Sequence, residues 1–416
     1  MYCGNCFRDN ALVAELRELG HSTLMIPLYL PMTLDEEDSS SGTPIFYGGI
    51  NVYLEQKVAL FRKSPRWLHH LFDAPGLLQW AAGRAAKTRA EDVGDLTVSM
   101  LKGEEGNQAR ELEELIAWLK EQEKPDVICL SNAMLIGLAR RLQADLGAPV
   151  VCMLQGEDCF LDALPEAQRA LAWQTLAERA AELKLFIAPT RYFADLMGKR
   201  LGIPPDRIQI VPNGIRLDGF SPATTQVDPP VLGYFARMCP EKGLDTLVEA
   251  FLLLKARNPV ENLKLRVGGG CGPGDEAFVR ELRERLQKRG WLPDAEFHPN
   301  LTREDKIEFL RSLSVLSVPA RCGEAFGLYL VEAWASGVPV AQPRTASFPE
   351  LIKATNGGVL CEPGDPAALA HAIEQVLIDR KKARALGENG RQAVLQHFSV
   401  ERMAENMLKA FQSVTG

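Results

Sequence analysis

Nowhere in the sequence does an apolar run approach the ~20 residues that a membrane-spanning helix requires, and the opening residues do not read as a signal peptide. An excess of basic residues is also missing. Over 416 residues, 47 Lys and Arg face 54 Asp and Glu, and the net charge of −7 argues against a general nucleic-acid binder, so no nucleic acid is expected as a partner. The nine cysteines form no framework of paired spacings, and their odd number reads as reduced thiols in a cytoplasmic protein. Cys3 and Cys6 make one CxxC with no second CxxC or histidine pair to complete a zinc site, so they read as two ordinary thiols. No cluster of His, Asp or Glu has metal-ligand spacing, and no metal is expected. What remains is a globular chain too long for one core and sized for two domains of about 200 residues each.

The hydrophobic pattern alternates between helical periods and short β-branched runs. In the first half, helices are predicted near 8–19, 107–121, 133–146, 166–183 and 190–200. Short apolar runs, read as strands, fall at 22–27, 95–100, 126–130, 149–154, 185–188 and 208–212. Gly20, Gly147 and Gly202 each follow a helix, where a left-handed cap is expected. This is the rhythm of a parallel sheet covered on both faces. Residues 218–230 break it with turn and linker chemistry, and it restarts at Val231. The expected fold class is α/β, with two doubly wound Rossmann-like domains over 1–218 and 228–395 whose parallel sheets face across a cleft. A C-terminal helix near 396–416 is expected to pack back on the first domain.

Residues 28–93 interrupt the first half. Between Gln56 and Ala90 one acid, Asp73, stands against seven bases, with Trp67, Phe72 and Trp80 interleaved. Such a 56–90 segment could touch an anionic membrane peripherally, on the inner face, or meet an acceptor substrate. It could equally be helices packing on their own domain with a solvated basic face.

The richest segment is residues 321–340. Glu324 and Glu332 lie eight positions apart around the Phe326-Gly327 turn, which opens a short apolar helix ended by Gly337. A helix beginning at a glycine turn leaves backbone N–H groups outward and attracts a phosphate. An acid on each side of a bound phosphate suits a ligand with hydroxyls at both ends, such as a nucleotide-sugar. The bland alternative is a common strand-turn-helix with two solvated glutamates. Arg237 and Lys242 flank a tight loop after the Val231–Phe235 run, where two fixed cations can hold a diphosphate and stabilise charge as it departs. Either could instead be a surface base. The glycine-rich exit around Gly270 does not fit a dinucleotide fingerprint; it would let a base or ribose lie close to the backbone, or it is a plain turn.

These motifs together resemble the retaining glycosyltransferases of the GT-B fold, family 4. The resemblance rests on Val211-Pro212-Asn213-Gly214-Ile215, the Arg237 and Lys242 pair and the E-x7-E of Glu324 and Glu332. Gly337-Val338-Pro339-Val340, Pro349-Glu350 and the stretch from Gly357 to Pro366 then follow in the family's order. It implies that Glu324 contacts hydroxyls of the donor sugar and that Glu332 holds the ribose. It further implies that the backbone N–H groups of Phe326, Gly327 and Leu328 face sugar or phosphate; Gly270, from the glycine-rich exit, is the remaining expected donor-binding residue. Arg237 and Lys242 would hold the diphosphate in place of a metal, so no cofactor is implied beyond the nucleotide-sugar co-substrate. Configuration would be retained by front-face attack, with the departing phosphate oxygen taking the acceptor proton and no enzymic nucleophile.

The first half departs from the family's pattern. Gly20-His21 is present and Cys3-Gly4-Asn5 occupies the position of the family's glycine-rich loop, but the strand expected before that loop is missing, and a mis-set start is the simplest explanation. Gln155 stands in Leu154-Gln155-Gly156 where many relatives carry histidine; it can hydrogen-bond but cannot carry a proton. Gly4, Asn5 and Gln155 are thus the expected acceptor-side residues. The stretch Tyr47 to Tyr53 resembles the matching region of bacterial starch synthases, a hint toward a glucan acceptor. The alternatives are a sugar-nucleotide-binding protein without turnover, or another GT-B reaction such as sugar-nucleotide epimerisation.

Overall fold

In the computed structural model, residues 4–28, 37–47, 90–225 and 227–415 are described. The chain forms two compact units. Of the described residues, one holds 16–28, 38–47, 90–211 and 406–415; the other holds 4–15, 37, 212–225 and 227–405. The division therefore falls at 211/212 rather than in the 218–230 linker, and residues 4–15 go with the second half instead of the first. The long helices Gly4–Glu18 and Val400–Thr415 each carry residues of both units, a continuity that sequence-local punctuation does not reveal.

The first unit contains a four-stranded parallel sheet among the described residues, β1 (Ile128–Leu130), β2 (Val150–Met153), β3 (Leu185–Ala188) and β4 (Ile208–Ile210), in that order. Every residue of β2 and β3 is buried, as continuous apolar runs in a covered parallel sheet require. Helices Ala139–Leu146 and Arg191–Leu201 connect the strands and end at Gly147 and Gly202, both with left-handed backbone. Two expected strands are absent. Residues 22–27 form no strand, and the run 95–100 lies inside the helix Ala90–Lys102. Its Thr and Val mimic a strand, but Val93, Leu96 and Met100 follow a helical spacing. The helix also comes close to its neighbour at Gly94, where an added Cβ would sit 2.7 Å from Gln168. The 56–90 contact expected with a membrane or acceptor, and residues 48–53 of the Tyr47 motif, lie outside the described residues.

The second unit contains a six-stranded parallel sheet, β5 (Val231–Phe235), β6 (Lys264–Gly269), β7 (Ala295–Pro299), β8 (Val315–Leu316), β9 (Val340–Pro343) and β10 (Gly358–Cys361). Its order is β10-β9-β8-β5-β6-β7, so the chain runs outward from β5 in one direction and then from β8 in the other. β5 and β8 flank the switch point, outside whose carboxyl ends a doubly wound sheet binds its ligands. The core beneath is large-residue packing, with Trp334, Tyr234, Phe251 and Phe348 fully buried.

Reduced thiols throughout are not what the fold shows. Cys159 and Cys322 are disulfide-bonded, whereas Cys6, Cys129, Cys152, Cys239, Cys271 and Cys361 are free. Spacing along the chain marks neither Cys159 nor Cys322.

Candidate functional site

The loops leaving β5 and β8 meet at the switch point of the six-stranded sheet. Their approach depends on Gly243, whose left-handed backbone brings it so close to the chain that an added Cβ would lie 1.9 Å from the Pro319 carbonyl. The Arg321 N–H donates to the Glu241 carbonyl at 2.9 Å and ties the two loops together. Further along, the fully buried Ser347 donates through its hydroxyl to the Phe326 carbonyl at 3.0 Å and through its N–H to the Glu324 carbonyl at 3.2 Å. Backbone is thus fixed on both sides of Glu324.

Lys242 Nζ donates to Glu324 Oε2 at 2.5 Å, and the Tyr329 hydroxyl donates to the same oxygen at 3.0 Å. Burial pulls the Lys242 ammonium down, but the Glu324 carboxylate beside it outweighs burial and holds it above its ordinary value. The Tyr329 phenol is pushed well up by burial and by Glu324, so it stays a donor. Gly327, at φ 95° and ψ 70°, starts the helix Leu328–Ala335. The first N–H groups of that helix have no partner within it.

Arg237 is bidentate on Asp275, Nε to Oδ2 at 3.1 Å and Nη2 to Oδ1 at 2.9 Å. Asp275 is buried and also accepts from the Gly272 N–H at 3.0 Å, while the guanidinium itself stays exposed. The Asp275 contact raises the Arg237 guanidinium above its ordinary value. The carbonyl of Gly270 accepts from the Met238 N–H at 2.8 Å, so the glycine-rich exit of β6 braces the loop that carries Arg237.

Glu332, on the second turn of Leu328–Ala335, pairs with Lys306 at 3.0 Å; both are largely buried. Phe326 buries its ring edge-on to Phe398, leaving only its backbone for a ligand. Gly4 opens the helix Gly4–Glu18 in this same unit, where an added Cβ would stand 3.6 Å from Leu328 Cδ1; Asn5 follows it. Gln155 belongs to the other unit, after β2. The three residues grouped as acceptor-side are therefore divided between the two units.

Asp275, Tyr329 and Lys306 were not singled out from the sequence. Asp275 closes a Gly-Pro-Gly turn, an available cue, and Lys306 sits in a helix whose Thr302 cap accepts from the Asp305 N–H. The partners of Asp275 and Lys306 are 38 and 26 residues away, beyond the reach of local spacing, whereas Tyr329 lies five residues from Glu324. Among the described residues, no three His, Cys, Asp or Glu side chains group to hold a metal ion. No helix there is long and apolar enough to cross a membrane.

Residues 220–393 match the family described as glycosyl transferases group 1, and residues 47–218 match glycosyltransferase family 4. Curated relatives include D-inositol 3-phosphate glycosyltransferases. That of Xylanimonas cellulosilytica is 29% identical over 61% of this chain and 62% of its own length. That of Geodermatophilus obscurus is 31% identical over 56% and 53%. The matches thus span about three fifths of these relatives or less. Among solved structures, sucrose-phosphate synthase from Thermosynechococcus elongatus aligns with TM-score 0.62 at 22% identity, over 73% of this chain and 78% of that one. Anabaena HepE in complex with UDP aligns with TM-score 0.65 at 17% identity, over 94% and 100%.

Proposed function

We propose, for a chain that belongs to the glycosyl transferases of group 1 and has their GT-B fold, that it moves a sugar from a nucleotide-sugar to a hydroxyl acceptor with retention and without a metal. The observation that carries this is the convergence of Arg237, Lys242 and Glu324 on the loops beside the β5/β8 switch point. Two cations there neutralise the diphosphate as it leaves, a role that preorganised charge fills without reorganisation. Lys242 stays protonated at neutral pH because Glu324 holds it so. Glu324 accepts from hydroxyls of the transferred sugar, and Glu332, on the second turn of Leu328–Ala335, accepts from the ribose. The first N–H groups of Leu328–Ala335 meet the phosphate.

In the transfer, the bond from the anomeric carbon to the phosphate oxygen breaks, and a bond from the acceptor oxygen forms on the same face. The acceptor proton passes to the departing phosphate oxygen, so charge and atoms balance with no enzymic nucleophile. UDP-sugars are the first donors to test, because a structural neighbour is complexed with UDP. D-inositol 3-phosphate is the first acceptor, because curated relatives carry that name.

The experiment is a panel of UDP-, GDP- and ADP-sugars with and without D-inositol 3-phosphate, glucan primers and simple glycosides, followed by NMR. Acceptor-dependent release of nucleoside diphosphate, with the donor's anomeric configuration kept in the product, is expected. Tight nucleotide binding with no turnover on any member of the panel would favour the binding-protein reading. An inverted anomer would contradict front-face attack.

A further inference from the structure

Lysine is seldom taken out of water, and among the described residues of the six-stranded unit two lysines are: Lys255 and Lys306. Lys255 is spent on structure. It pairs with Asp294, which Lys264 also holds, donates to the Leu263 carbonyl at 3.1 Å and lies 4.4 Å over the Trp291 ring. Lys306 is 4% exposed, more deeply buried, and its ammonium meets Glu332 Oε1 at 3.0 Å, with the Phe7 ring centroid 5.9 Å away. Glu332 is the carboxylate that the proposed reading gives to the donor's ribose. A buried cation held at 3.0 Å against a ligand-binding carboxylate is placed to act on the ligand through it.

We propose that Lys306 is a positioning residue that sets the Glu332 carboxylate for the two adjacent hydroxyls of the donor's ribose. The proposal rests on the assignment of Glu332 to that ribose. A carboxylate offers about four lone-pair positions. Lys306 takes one on Oε1 and thereby fixes the rotation of the group, leaving the others for two hydroxyl donors. Without that anchor, Glu332 turns about its last torsion, which is broad and soft for a glutamate. Lys306 sits on the helix Arg303–Arg311 after β7, whereas Glu332 sits on Leu328–Ala335 after β8, so two helices on separate connections set the geometry. Lys306 touches no reacting atom. Its effect belongs to ground-state and transition-state binding alike and should appear in KM rather than kcat.

The test is calorimetry with UDP, 2′-deoxy-UDP and 3′-deoxy-UDP on wild type, Lys306→Met, Lys306→Arg and Glu332→Gln, alongside donor kinetics and thermal melts. For wild type, a preference of about tenfold or more for UDP over either deoxy analogue is expected, the size of a hydrogen bond to a charged group. Lys306→Met should lower UDP affinity by about that factor, erase most of the preference and leave kcat at saturating donor nearly unchanged. Lys306→Arg, which keeps the charge but shifts its point of contact, should lose part of the preference and keep its fold. Lys306→Met in a Glu332→Gln background should cost no further preference. A merely structural lysine would lower the melting temperature and leave the UDP-to-deoxy ratio intact, and that ratio unchanged in every folded Lys306 variant overturns the proposal. If Glu332→Gln itself keeps the wild-type ratio, the ribose assignment beneath it is what fails.

Discussion

Glu157 and Glu324 stand beside the same local device in different units, with opposite uses. Glu157 directly follows, and Glu324 precedes by three residues, a left-handed glycine that opens a helix, Gly156 at φ 100° and Gly327 at φ 95°. Glu157 is buried, and both its oxygens accept backbone N–H groups, from Ala133 at 2.8 Å and Gln155 at 2.8 Å. It staples the loop after β1 to the loop after β2. Glu324 takes a lysine and a tyrosine hydroxyl on one oxygen while its backbone is held independently by Ser347. A carboxylate whose oxygens are both committed to main chain is spent on shape. One anchored through its own backbone, and paired with a side chain that can move, remains available to a ligand. The turn alone does not distinguish a knot from a site; the partner of the carboxylate does.

That contrast breaks most sharply at the cations. Arg237→Ala and Lys242→Ala are each expected to lose ~10²–10³ of turnover with the fold intact, since each removes a donor from a developing charge. Initial rates beside circular dichroism check this, and wild-type rates in both variants would remove the site from this loop. Asp275→Asn should give a smaller loss, because it leaves Arg237 present but less well aimed.

At Glu157 the expected effect is on stability instead. Glu157→Gln places an amide where two N–H donors point and should cost about 1–3 kcal/mol, measured by urea unfolding, with nucleotide affinity unchanged. Burial raises the Glu157 carboxyl above its ordinary value of 4.5 in the fold. Its contribution is therefore fully present below that ordinary value and is lost as pH rises through the raised one. The penalty of Glu157→Gln should shrink from acid toward neutral pH. A penalty that grows over that range would contradict the buried-carboxyl account. The smallest expected effect is that of chelation: activity should survive EDTA, and a loss restored by magnesium or manganese would put an ion in the place given to Arg237 and Lys242.

The parts that were legible share a local signature. The strand Val231–Phe235 and the glycine caps at Gly147 and Gly202 each lie where neighbouring residues mark the end or start of an element. What escaped depends on contacts between distant residues. The 95–100 run reads as a strand until its helical partner at Gln168 is known, and Lys306 is one more surface-like lysine until Glu332 comes within 3.0 Å of it. The division of Gly4 and Asn5 from Gln155 is of the same kind, since a helix that passes from one unit to another carries no mark at the crossing.

The central claim is that two carboxylates, both paired with lysines, serve different parts of one donor. Calorimetry with the nucleoside diphosphate, run beside steady-state kinetics on Glu324→Gln and Glu332→Gln, tests it most directly. The account predicts that Glu332→Gln weakens nucleoside diphosphate binding and raises the donor KM. It predicts that Glu324→Gln binds the nucleoside diphosphate as wild type does and turns over more slowly. Weakened nucleotide binding in Glu324→Gln alone would mean the two roles are reversed, and wild-type behaviour in both variants would mean the pair holds the fold and not the donor.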